Sequence, residues 1–350
     1  TPMGSRLLSQ WIRQPLLSSQ LITERYVALD DLLSNQECLS TVQSQLKQIR
    51  DMERLLSKIT CGVCSAKEVV ALKESVTTVP AIKSTISSLQ APLITKQHRE
   101  LFDLKDLVSL IEQSLVDNPP LSTKEGGFIK KGYHAELDEI RDKAQNGKQW
   151  IAGFQNSERQ KTGVKSLKVS YNRVFGYYID VTKANLSSVP EHYIRKQTLV
   201  NSERFITPEL KEMENSILGA EEKAHALEYE LFEVIRQTLL NYIPEIQSIS
   251  EALAFLDVLA SLATVAKNRN YVKPEIDESS TIAIKGGRHP VIEQVIEEGH
   301  FIENDTWIDR TGHQLLIITG PNMAGKSTYI RQVALIVIMA QIGSFVPASY

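Results

Sequence analysis

The first 120 residues carry apolar side chains three and four positions apart, a spacing that places them on one face of an α-helix. Three runs show it: Leu7, Leu8, Trp11 and Ile12; Leu39, Val42, Leu46 and Ile49; and Leu101, Leu104, Leu107, Leu110 and Ile111. Proline disfavours helix interiors, and it occurs at Pro15, Pro80, Pro92 and the pair Pro119-Pro120. The pattern therefore predicts a body of several helices that break near these prolines.

Two later stretches repeat this spacing over a greater length. The first follows a turn at Gly126-Gly127 and contains Leu137, Ile140, Ala144, Gly147, Ile151 and Phe154. The second contains Leu210, Met213, Ile217, Ala220, Ala224, Leu227, Leu231 and Val234. It is predicted to begin after an N-cap at Thr207, with Pro208 at the first helical position, and to end near Tyr242. Alternating steps of three and four predict two coiled-coil helices, the second about 50 Å long.

Between these two helices the apolar period changes to two, which is typical of β-strands. The segments 167–171, 177–181 and 193–200 are rich in β-branched and aromatic residues, and turn residues such as Gly176 and Pro190 bound them. We therefore expect a small antiparallel sheet at the tip of a helical arm.

The pattern changes again beyond residue 270. A strand is predicted at 281–284, followed by a loop-rich stretch. The segment 314–319 is an uninterrupted apolar run, as expected of a strand buried on both faces. A further apolar run, 333–342, predicts a buried helix, because it is much shorter than the roughly 18 residues that a membrane span needs. This order predicts the start of an α/β nucleotide-binding domain.

The loop between this predicted strand and helix matches the P-loop pattern in every fixed position. It comprises Gly320, Pro321, Asn322, Met323, Ala324, Gly325, Lys326 and Ser327, with Thr328 next. The glycines let backbone N–H groups wrap phosphates, and the following helix presents its positive end to the same charge. Lys326 is the predicted catalytic residue, because it would contact the β- and γ-phosphates of ATP. Ser327 would bind Mg²⁺ through its hydroxyl. The alternative is a chance match in a strand-to-helix turn.

Phosphoryl transfer also needs an acidic residue that helps to bind magnesium and a group that positions the attacking water. Both normally follow the P-loop helix, whereas this sequence stops at Tyr350. It starts at Thr1, without a visible signal peptide, so we expect an excised fragment that binds phosphates without hydrolysing ATP by itself.

Composition sets further limits. The 350 residues have the apolar and charged fractions of an ordinary globular protein, and the formal net charge is −3. Three cysteines, Cys38, Cys61 and Cys64, do not suit a secreted disulfide framework. A structural zinc site needs four ligands, and no second pair accompanies Cys61 and Cys64, so we expect reduced cysteines.

A local basic region contrasts with the acidic whole. The predicted tip carries Lys161, Lys165, Lys168, Arg173, Lys183, Arg195, Lys196, Arg204 and Lys211 against Asp180, Glu191, Glu203 and Glu209, an excess of about five positive charges. Aromatic residues alternate with them: Tyr171, Phe175, Tyr177, Tyr178, Tyr193 and Phe205. Such a tip suits contact with the DNA backbone, although a solvated β-tip with scattered lysines has a similar composition.

The chain resembles MutS-type DNA mismatch repair proteins along its whole length. The motifs that carry the resemblance are Thr1 to Leu8, Gly132 to Glu139, Phe175 to Ile179, Arg195 to Leu199, Gly287 to Val291 and Thr319 to Arg331. The resemblance implies a multidomain α and α/β protein: a helical core with long lever helices, a small antiparallel β clamp that grips DNA, and the beginning of an ABC-type P-loop ATPase domain. We place the domains at 1–155 (core and outgoing lever), 156–207 (clamp), 208–269 (returning lever and core) and 270–350 (ATPase start).

The resemblance also implies site residues. Phe301 and Ile302 match a family pair that lies against adenine, although Phe301 could instead anchor its loop in the core. Asn322 matches the asparagine of the family P-loop, and Ala324 stands where members have Gly or Ala. The residues expected to contact DNA are Asn172, Arg173, Lys183, Arg195, Lys196, Asn201 and Arg204.

The implied cofactors are ATP or ADP and Mg²⁺. The implied partners are mismatched double-stranded DNA, a second subunit in a homodimer or paralogous heterodimer, and a MutL-type repair factor, with no membrane. The expected location is the bacterial cytoplasm, with the nucleoid, or the nucleus of a eukaryote. The mismatch-reading domain would precede Thr1, and the magnesium-binding strand, the ABC signature and the dimer contacts would follow Tyr350.

Two other interpretations compete with this one. ATPases of the structural-maintenance-of-chromosomes type also join coiled coils to a nucleotide-binding head, but their P-loop precedes a much longer coil, whereas here it follows the coil. A helical scaffold with a vestigial P-loop is the non-enzymatic alternative. The intact Lys326 and Ser327 argue against it, and a measured nucleotide affinity would separate the two.

Overall fold

A computed structural model describes residues 1–123, 126–172, 174–296, 301–321 and 324–349. The predicted site residues Arg173, Asn322 and Met323 lie outside the described residues. The chain divides into two compact units. The first comprises Thr1–Cys64, Glu68–Val108 and Leu239–Tyr350, and the second comprises Ser65–Lys67 and Ser109–Thr238.

The predicted multi-helix body is confirmed. Its helices are α1 (Pro2–Arg13), α2 (Ser19–Ser34), α3 (Gln36–Leu46), α4 (Met52–Thr60), α5 (Ala66–Ile86), α6 (Pro92–Glu100) and α7 (Lys105–Ser114). The break predicted at Pro80 is wrong, because Pro80 lies inside α5. A proline inside a helix costs about 3 kcal/mol. Burial of neighbouring Val76, Val79 and Ile82 on one face of α5 offsets that cost.

Helix α10 (Ile243–Arg269) forms the centre of the first unit. Its buried residues are Ile246, Ile249, Ser250, Ala252, Leu253, Ala254, Leu256, Val258, Leu259, Ala260, Ala263 and Ala266. A helix that is buried on nearly all sides shows no single apolar stripe. The residues of α10 were therefore predicted only as part of the returning lever and core at 208–269, without a separate helix.

The second unit contains the two predicted lever helices, α8 (Ala135–Thr162) and α9 (Pro208–Leu239). The predicted N-cap is confirmed, since the Leu210 amide donates to Thr207 Oγ1 at 3.2 Å. The 32 residues of α9 span about 48 Å at 1.5 Å per residue. Helix α8 continues to Thr162, past the boundary predicted after residue 155.

The levers approach closely at Gly147 of α8. A Cβ built there would lie 2.5 Å from Cγ1 of Ile217, which is itself buried on α9. Real Cβ atoms essentially never come that near another atom. Gly147 is therefore required by the neighbouring helix rather than by its own backbone, and it sets how closely the two levers pack.

The predicted seam of α9 holds only for its first half. Leu210, Ile217 and Ala224 are buried as expected, but Val234 is 61% exposed and its neighbour Ile235 is buried. A straight helix has 3.6 residues per turn, so a strict seven-residue repeat drifts about 20° per heptad around it. The buried face consequently moves to Glu228, Phe232, Ile235 and Leu239.

The predicted antiparallel sheet is also confirmed, with one strand more than expected. Its strands are β1 (Lys168–Asn172), β2 (Gly176–Thr182), β3 (Ile194–Thr198) and β4 (Ser202–Ile206), in the order β1-β2-β4-β3. The third predicted segment, 193–200, ends earlier, because a tight turn leads from β3 into β4. We call residues 163–207 the clamp.

Alternate residues of the clamp sheet pack on the lever ends. Ile179 and Val181 of β2 and Phe205 of β4 join Ile151 and Phe154 of α8 in one buried cluster. Because successive strand residues point to opposite faces, Asp180 and Arg204 lie on the other face of the sheet. The clamp therefore has one apolar face on the levers and one polar face.

The last part of the first unit contains β5 (Ile282–Gly287), β6 (Asn304–Ile308) and α11 (Lys326–Gln341), with β5 and β6 paired antiparallel. The buried strand predicted at 314–319 is wrong: the segment forms no strand, and Leu315 and Ile317 are 80% and 82% exposed. Among the described residues no segment pairs with it, and a strand needs such a partner. Likewise α11 is buried only along one side, at Gln332, Ile336 and Ala340.

The continuous helical stretch Pro208–Arg269 is long and apolar enough, by length and composition alone, to cross a membrane. The window that passes this test is 61% buried inside the protein. Since α10 packs against several other helices of the first unit, we interpret its part of the stretch as a core helix.

The close approach of the levers predicts opposite effects for two glycines of α8. Gly147→Ala should lower the free energy of unfolding by about 1 to 2 kcal/mol, because Ile217 must move. Gly153→Ala is the matched control and should raise it by about 0.5 to 1 kcal/mol, since nothing lies within 4 Å of its added Cβ. Urea denaturation followed by circular dichroism measures both. Equal effects of the two substitutions would contradict the packing.

Candidate nucleotide-binding cleft and nucleic-acid interface

A cleft of about 1010 Å³ lies in the first unit beside the P-loop. Ala324, Gly325, Lys326 and Thr328 line one part of it, and Phe301, Ile302, Trp307, His313 and Tyr329 line another. The structure thus places the predicted phosphate-binding residues and the predicted adenine pair around a single cavity. Such a volume is typical of small-molecule sites, which range over about 300 to 1,000 Å³.

The backbone of the P-loop opens directly into α11. Gly325 precedes the helix with φ 84°, a left-handed conformation that favours glycine. Lys326, Ser327 and Thr328 form the first turn of α11, whose N–H groups have no partner within the helix. Free N–H groups and the positive end of the helix dipole together attract anions. The local fold is therefore suited to bind phosphate groups.

Lys326 lies across its own loop. Its ammonium group donates to the carbonyl oxygens of Gly320 and Pro321, the latter at 2.7 Å. These contacts hold the Lys326 side chain against the backbone of Gly320 and Pro321, beside the cleft. The Ser327 side chain is exposed at the start of α11. It offers one hydroxyl oxygen to a cation.

The predicted adenine pair differs in burial. Phe301 is half-buried and Ile302 is 84% exposed, and both border the cleft. Half-burial of Phe301 fits contact with a flat base and equally fits a loop anchor. The assignment of both residues to adenine stays a prediction.

Asp309 organises the loop between Trp307 and His313, two residues that line the cleft, and it was not among the predicted site residues. Its carboxylate accepts from the backbone amides of Thr311, Gly312 and His313 at 2.7 to 3.0 Å and from Trp307 Nε1 at 2.8 Å. The His313 amide and these other donors hold the pKa of Asp309 well below its usual range. Asp309 followed by Thr311-Gly312 is a turn signal that could have revealed this loop.

Mg²⁺ prefers an octahedral shell of oxygen ligands and is usually bound through one or two carboxylates and nucleotide phosphates. Within the described ranges, no group of three or more His, Cys, Asp or Glu side chains could hold a metal ion. Ser327 supplies a single suitable oxygen. The described residues thus fit nucleotide phosphates, and Ser327 as a magnesium ligand stays a prediction.

The clamp brings together only some of the predicted DNA-binding residues. Lys183 and Asn201 meet at one end of the sheet, where the Lys183 amide donates to the Asn201 carbonyl at 3.1 Å. Asn172 pairs with Gly176 at the opposite end of β2. That separation is about 20 Å at 3.3 Å per residue. Asn172 and Lys183 consequently cannot contact the same phosphate.

Two arginines of the clamp are held in place by neighbours. The Arg204 guanidinium lies 4.3 Å from the ring centroid of Tyr178 and donates to Gln197 Oε1 at 2.7 Å. Arg195 reaches Glu203 at 3.3 Å, with most of its side chain exposed. Stacking and hydrogen bonding orient an arginine before any partner arrives. Tyr178 was predicted only as one of the aromatic residues of the tip, and Gln197 was not predicted as a site residue, since their contacts with Arg204 depend on cross-strand pairing.

The charge excess of the tip is smaller than predicted. Lys161 donates to Glu158 at 2.7 Å and Lys211 donates to Glu214 at 2.6 Å. These two carboxylates lie on the lever helices and neutralise cations that the sequence assigns to the tip. Including them lowers the excess from about five positive charges to about three. The remaining exposed cations include Lys183, Arg195 and Lys196.

Two protein-family models match the chain. The sequence model of MutS domain III matches residues 1–263, and that of MutS domain V matches residues 316–350. The chain belongs to the MutS family. The first match contains the levers and the clamp, and the second contains the P-loop and α11.

Individual relatives agree along the whole chain. A protein of Clostridium tetani (strain Massachusetts / E88) is 52% identical over 349 residues, which cover 99% of this chain and 40% of that protein. One of Alkaliphilus oremlandii (strain OhILAs) is 52% identical, with 100% and 40% covered, and one of Methanosarcina barkeri (strain Fusaro / DSM 804) is 50% identical, with 100% and 39% covered. All three are named DNA mismatch repair protein MutS. The chain spans about 40% of the length of these MutS relatives.

A buried carboxylate fixes this MutS clamp to its lever. Glu158 of α8 is buried and accepts from Tyr193 Oη at 2.5 Å and from Lys161 Nζ at 2.7 Å. Burial opposes ionisation of Glu158, but the hydrogen bonds from Lys161 and Tyr193 outweigh it, so its pKa is lowered. Burial and the bond to Glu158 raise the pKa of Tyr193. Tyr193 precedes β3, and this pair therefore anchors the sheet to α8.

The lowered pKa predicts a pH-dependent anchor. A carboxyl group with a depressed folded-state pKa stabilises the fold above its unfolded value of about 4.5, and the contribution is lost as pH falls through the folded value. Glu158→Gln should therefore lower the free energy of unfolding at about pH 7 by about 1 to 3 kcal/mol. It should also reduce the dependence of stability on pH between about pH 5 and pH 3.

Denaturant titrations at several values between about pH 3 and about pH 7 measure the loss of stability and its pH dependence. Glu191→Gln is the control, because Glu191 is exposed on the same clamp. If Glu158→Gln and Glu191→Gln had the same pH profile, the anchor assigned to Glu158 would be wrong.

Proposed function

We propose that this chain is the core, lever, clamp and P-loop portion of a DNA mismatch repair protein that uses ATP to control its grip on DNA. The observation that carries the proposal is the match of relatives named DNA mismatch repair protein MutS to 99–100% of the chain. Mismatch recognition, ATP hydrolysis, dimer formation and contact with a MutL-type factor are proposed for the intact protein, of which this chain corresponds to about 40%.

The proposed nucleotide site uses the cleft beside α11. Lys326 would leave the Gly320 and Pro321 carbonyls to donate to the β- and γ-phosphates, and the first N–H groups of α11 would donate to the same oxygens. Phe301 and Ile302 would contact adenine at the other end of the cleft. Ser327 would bind Mg²⁺, which neutralises phosphate charge during transfer.

The proposed DNA site consists of the basic side chains of the clamp. Arg195, Lys196 and Lys183 are exposed, and Arg204 is held in place by Tyr178. Contacts of this kind position a duplex through its phosphates and carry no sequence information. Their affinity falls with salt, because each neutralised phosphate releases counterions. We therefore assign the clamp to grip and leave mismatch specificity to other parts of the intact protein.

This assignment places the intact protein with DNA, in the bacterial cytoplasm at the nucleoid or in a eukaryotic nucleus. A scaffold with a vestigial P-loop is the alternative from a different class. The open first turn of α11 and the position of Lys326 over the loop favour the nucleotide site.

Nucleotide affinity tests the proposed site directly. In the intact protein, Lys326→Ala should weaken ATP binding at least about a hundredfold, because charge-assisted hydrogen bonds contribute about 1.5 to 3 kcal/mol each. Lys47→Ala is the control, since Lys47 is an exposed lysine at the end of α3. Fluorescence titration with a labelled ATP analogue gives both affinities. An unchanged ATP affinity in Lys326→Ala would contradict the assignment of the nucleotide site.

The salt dependence of DNA binding tests the clamp. The double variant Arg195→Glu, Lys196→Glu should bind duplex DNA more weakly, and its plot of log affinity against log salt should flatten by about 0.9 for each phosphate that the clamp no longer neutralises. Lys143→Glu, Lys223→Glu makes a matching charge change on exposed lever positions and serves as the control. If the double variant and the unmodified protein had the same salt slope, Arg195 and Lys196 would not be part of the DNA interface.

A further inference from the structure

The C-terminal end of the P-loop helix is bound by residues of α2 and of the segment that joins α1 to α2. Helices leave their last carbonyl groups without partners inside the helix. At the end of α11 the Tyr26 hydroxyl donates to Ala340 O at 2.6 Å and the Leu16 amide donates to Gln341 O at 3.2 Å. Arg25 Nη1 donates to the carbonyl oxygen of the C-cap residue Ile342 at 2.7 Å. Three successive carbonyls are therefore held by one short segment of the core.

The turn that ends α11 is shaped to accept Arg25. Gly343 has φ 83°, and the Ser344 amide donates to Met339 O at 2.9 Å, as in a Schellman C-cap. A Cβ at Gly343 would lie 2.5 Å from Cβ of Arg25. Glycine is therefore needed at position 343 for two reasons. Its backbone is left-handed, and a side chain there would occupy the space that Arg25 fills.

Arg25 is itself fixed by the core. Its guanidinium carbon lies 3.3 Å from the ring centroid of Trp11, and Trp11 packs edge-on against Phe255 of α10 at 5.1 Å. Burial lowers the pKa of Arg25 to about 10, so it stays charged at neutral pH. A positive charge at the negative end of a helix dipole is favourable. Contacts thus run without interruption from the end of α11 to α10.

Tyr26 forms a second connection beside the first. Tyr26 is buried, and its ring packs edge-on against Phe345 at 6.2 Å. One residue further along, Val346 exchanges two backbone hydrogen bonds with Val272, three residues after α10 ends. Any shift of α11 along its axis must therefore either break these hydrogen bonds or move Tyr26 and Val272 with the helix.

We propose that Arg25 and Tyr26 form a joint that passes the movement of the P-loop helix to the helical core. The inference rests on the proposed function, in which phosphates bind at the other end of α11. Helix α11 is a 16-residue element with the P-loop at its first residue and the joint at its last, so it can act as a rigid rod. Helix α10, which the joint contacts through Trp11, follows the lever helix α9 after a single turn at Leu240–Tyr242. Arg25 and Tyr26 are positioning residues and do not contact nucleotide.

The test separates nucleotide binding from its effect on DNA. In the intact protein we would compare Arg25→Met and Tyr26→Phe with the controls Arg13→Met and Tyr229→Phe, which alter exposed residues. For each, stopped-flow fluorescence gives the dissociation rate of a labelled duplex with one mismatch, with and without ATP. Titration with a labelled ATP analogue gives the nucleotide affinity. Tyr26→Phe keeps the ring contact with Phe345 and removes only the hydroxyl.

The expected result is that both joint variants keep ATP affinity and nucleotide-free DNA affinity within about twofold, while the effect of ATP on DNA dissociation falls about fivefold or more. The controls should behave like the unmodified protein. An unchanged ATP effect in Tyr26→Phe and Arg25→Met would overturn the joint alone. Loss of ATP affinity in Tyr26→Phe would also overturn it, because the hydroxyl would then support the P-loop itself. If ATP did not alter DNA dissociation in the unmodified protein, the proposed function would fail with it.

Discussion

The need to satisfy backbone groups at the two ends of α11 shapes the first unit. Its first N–H groups face the cleft beside Lys326, where a phosphate can accept from them. Its last carbonyls are already bound by Arg25, Tyr26 and the Leu16 amide. One end of the helix is thus open to a ligand, and the other is fixed to the core. A helix held in this way can transmit a change from its open end to the core.

The second unit depends on buried carboxylates and on one close helix approach. Glu228 of α9 is 2% exposed and accepts from the Gly127 amide at 2.7 Å and from Arg141 of α8 at 2.5 Å. Glu158 ties α8 to the clamp in the same manner. Buried charges require such partners, since an unpaired one costs several kcal/mol. These bonds, together with the close packing at Gly147, hold the levers and the clamp together within the second unit.

Sequence patterns predicted the elements that have their own local signal. Helix α8, the Thr207 N-cap, the clamp sheet and the helix after the P-loop all follow from apolar period or cap residues. The pattern gave wrong elements where pairing with other segments determines the structure. Ile317 lies in an apolar run that forms no strand among the described residues. Strand β4 was not predicted, because only a short turn separates it from β3. The pattern also failed at Val234, since a heptad extended over a straight helix drifts away from its buried face. For the cleft, the P-loop residues were predictable from spacing, and the turn signal after Asp309 could have revealed its loop. Arg25, at the other end of α11, acts through a hydrogen bond that no sequence motif marks.

The central claim is that nucleotide at the P-loop and DNA at the clamp are energetically coupled. Linkage requires that ATP change DNA affinity by the same factor as DNA changes ATP affinity. Calorimetric titrations of the intact protein with a non-hydrolysed ATP analogue, with and without saturating mismatched duplex, together with the reciprocal DNA titrations, measure both factors. The account predicts two equal factors of about five or more. If neither ligand changed the affinity for the other, the two sites would be independent, and the proposed coupling would be contradicted.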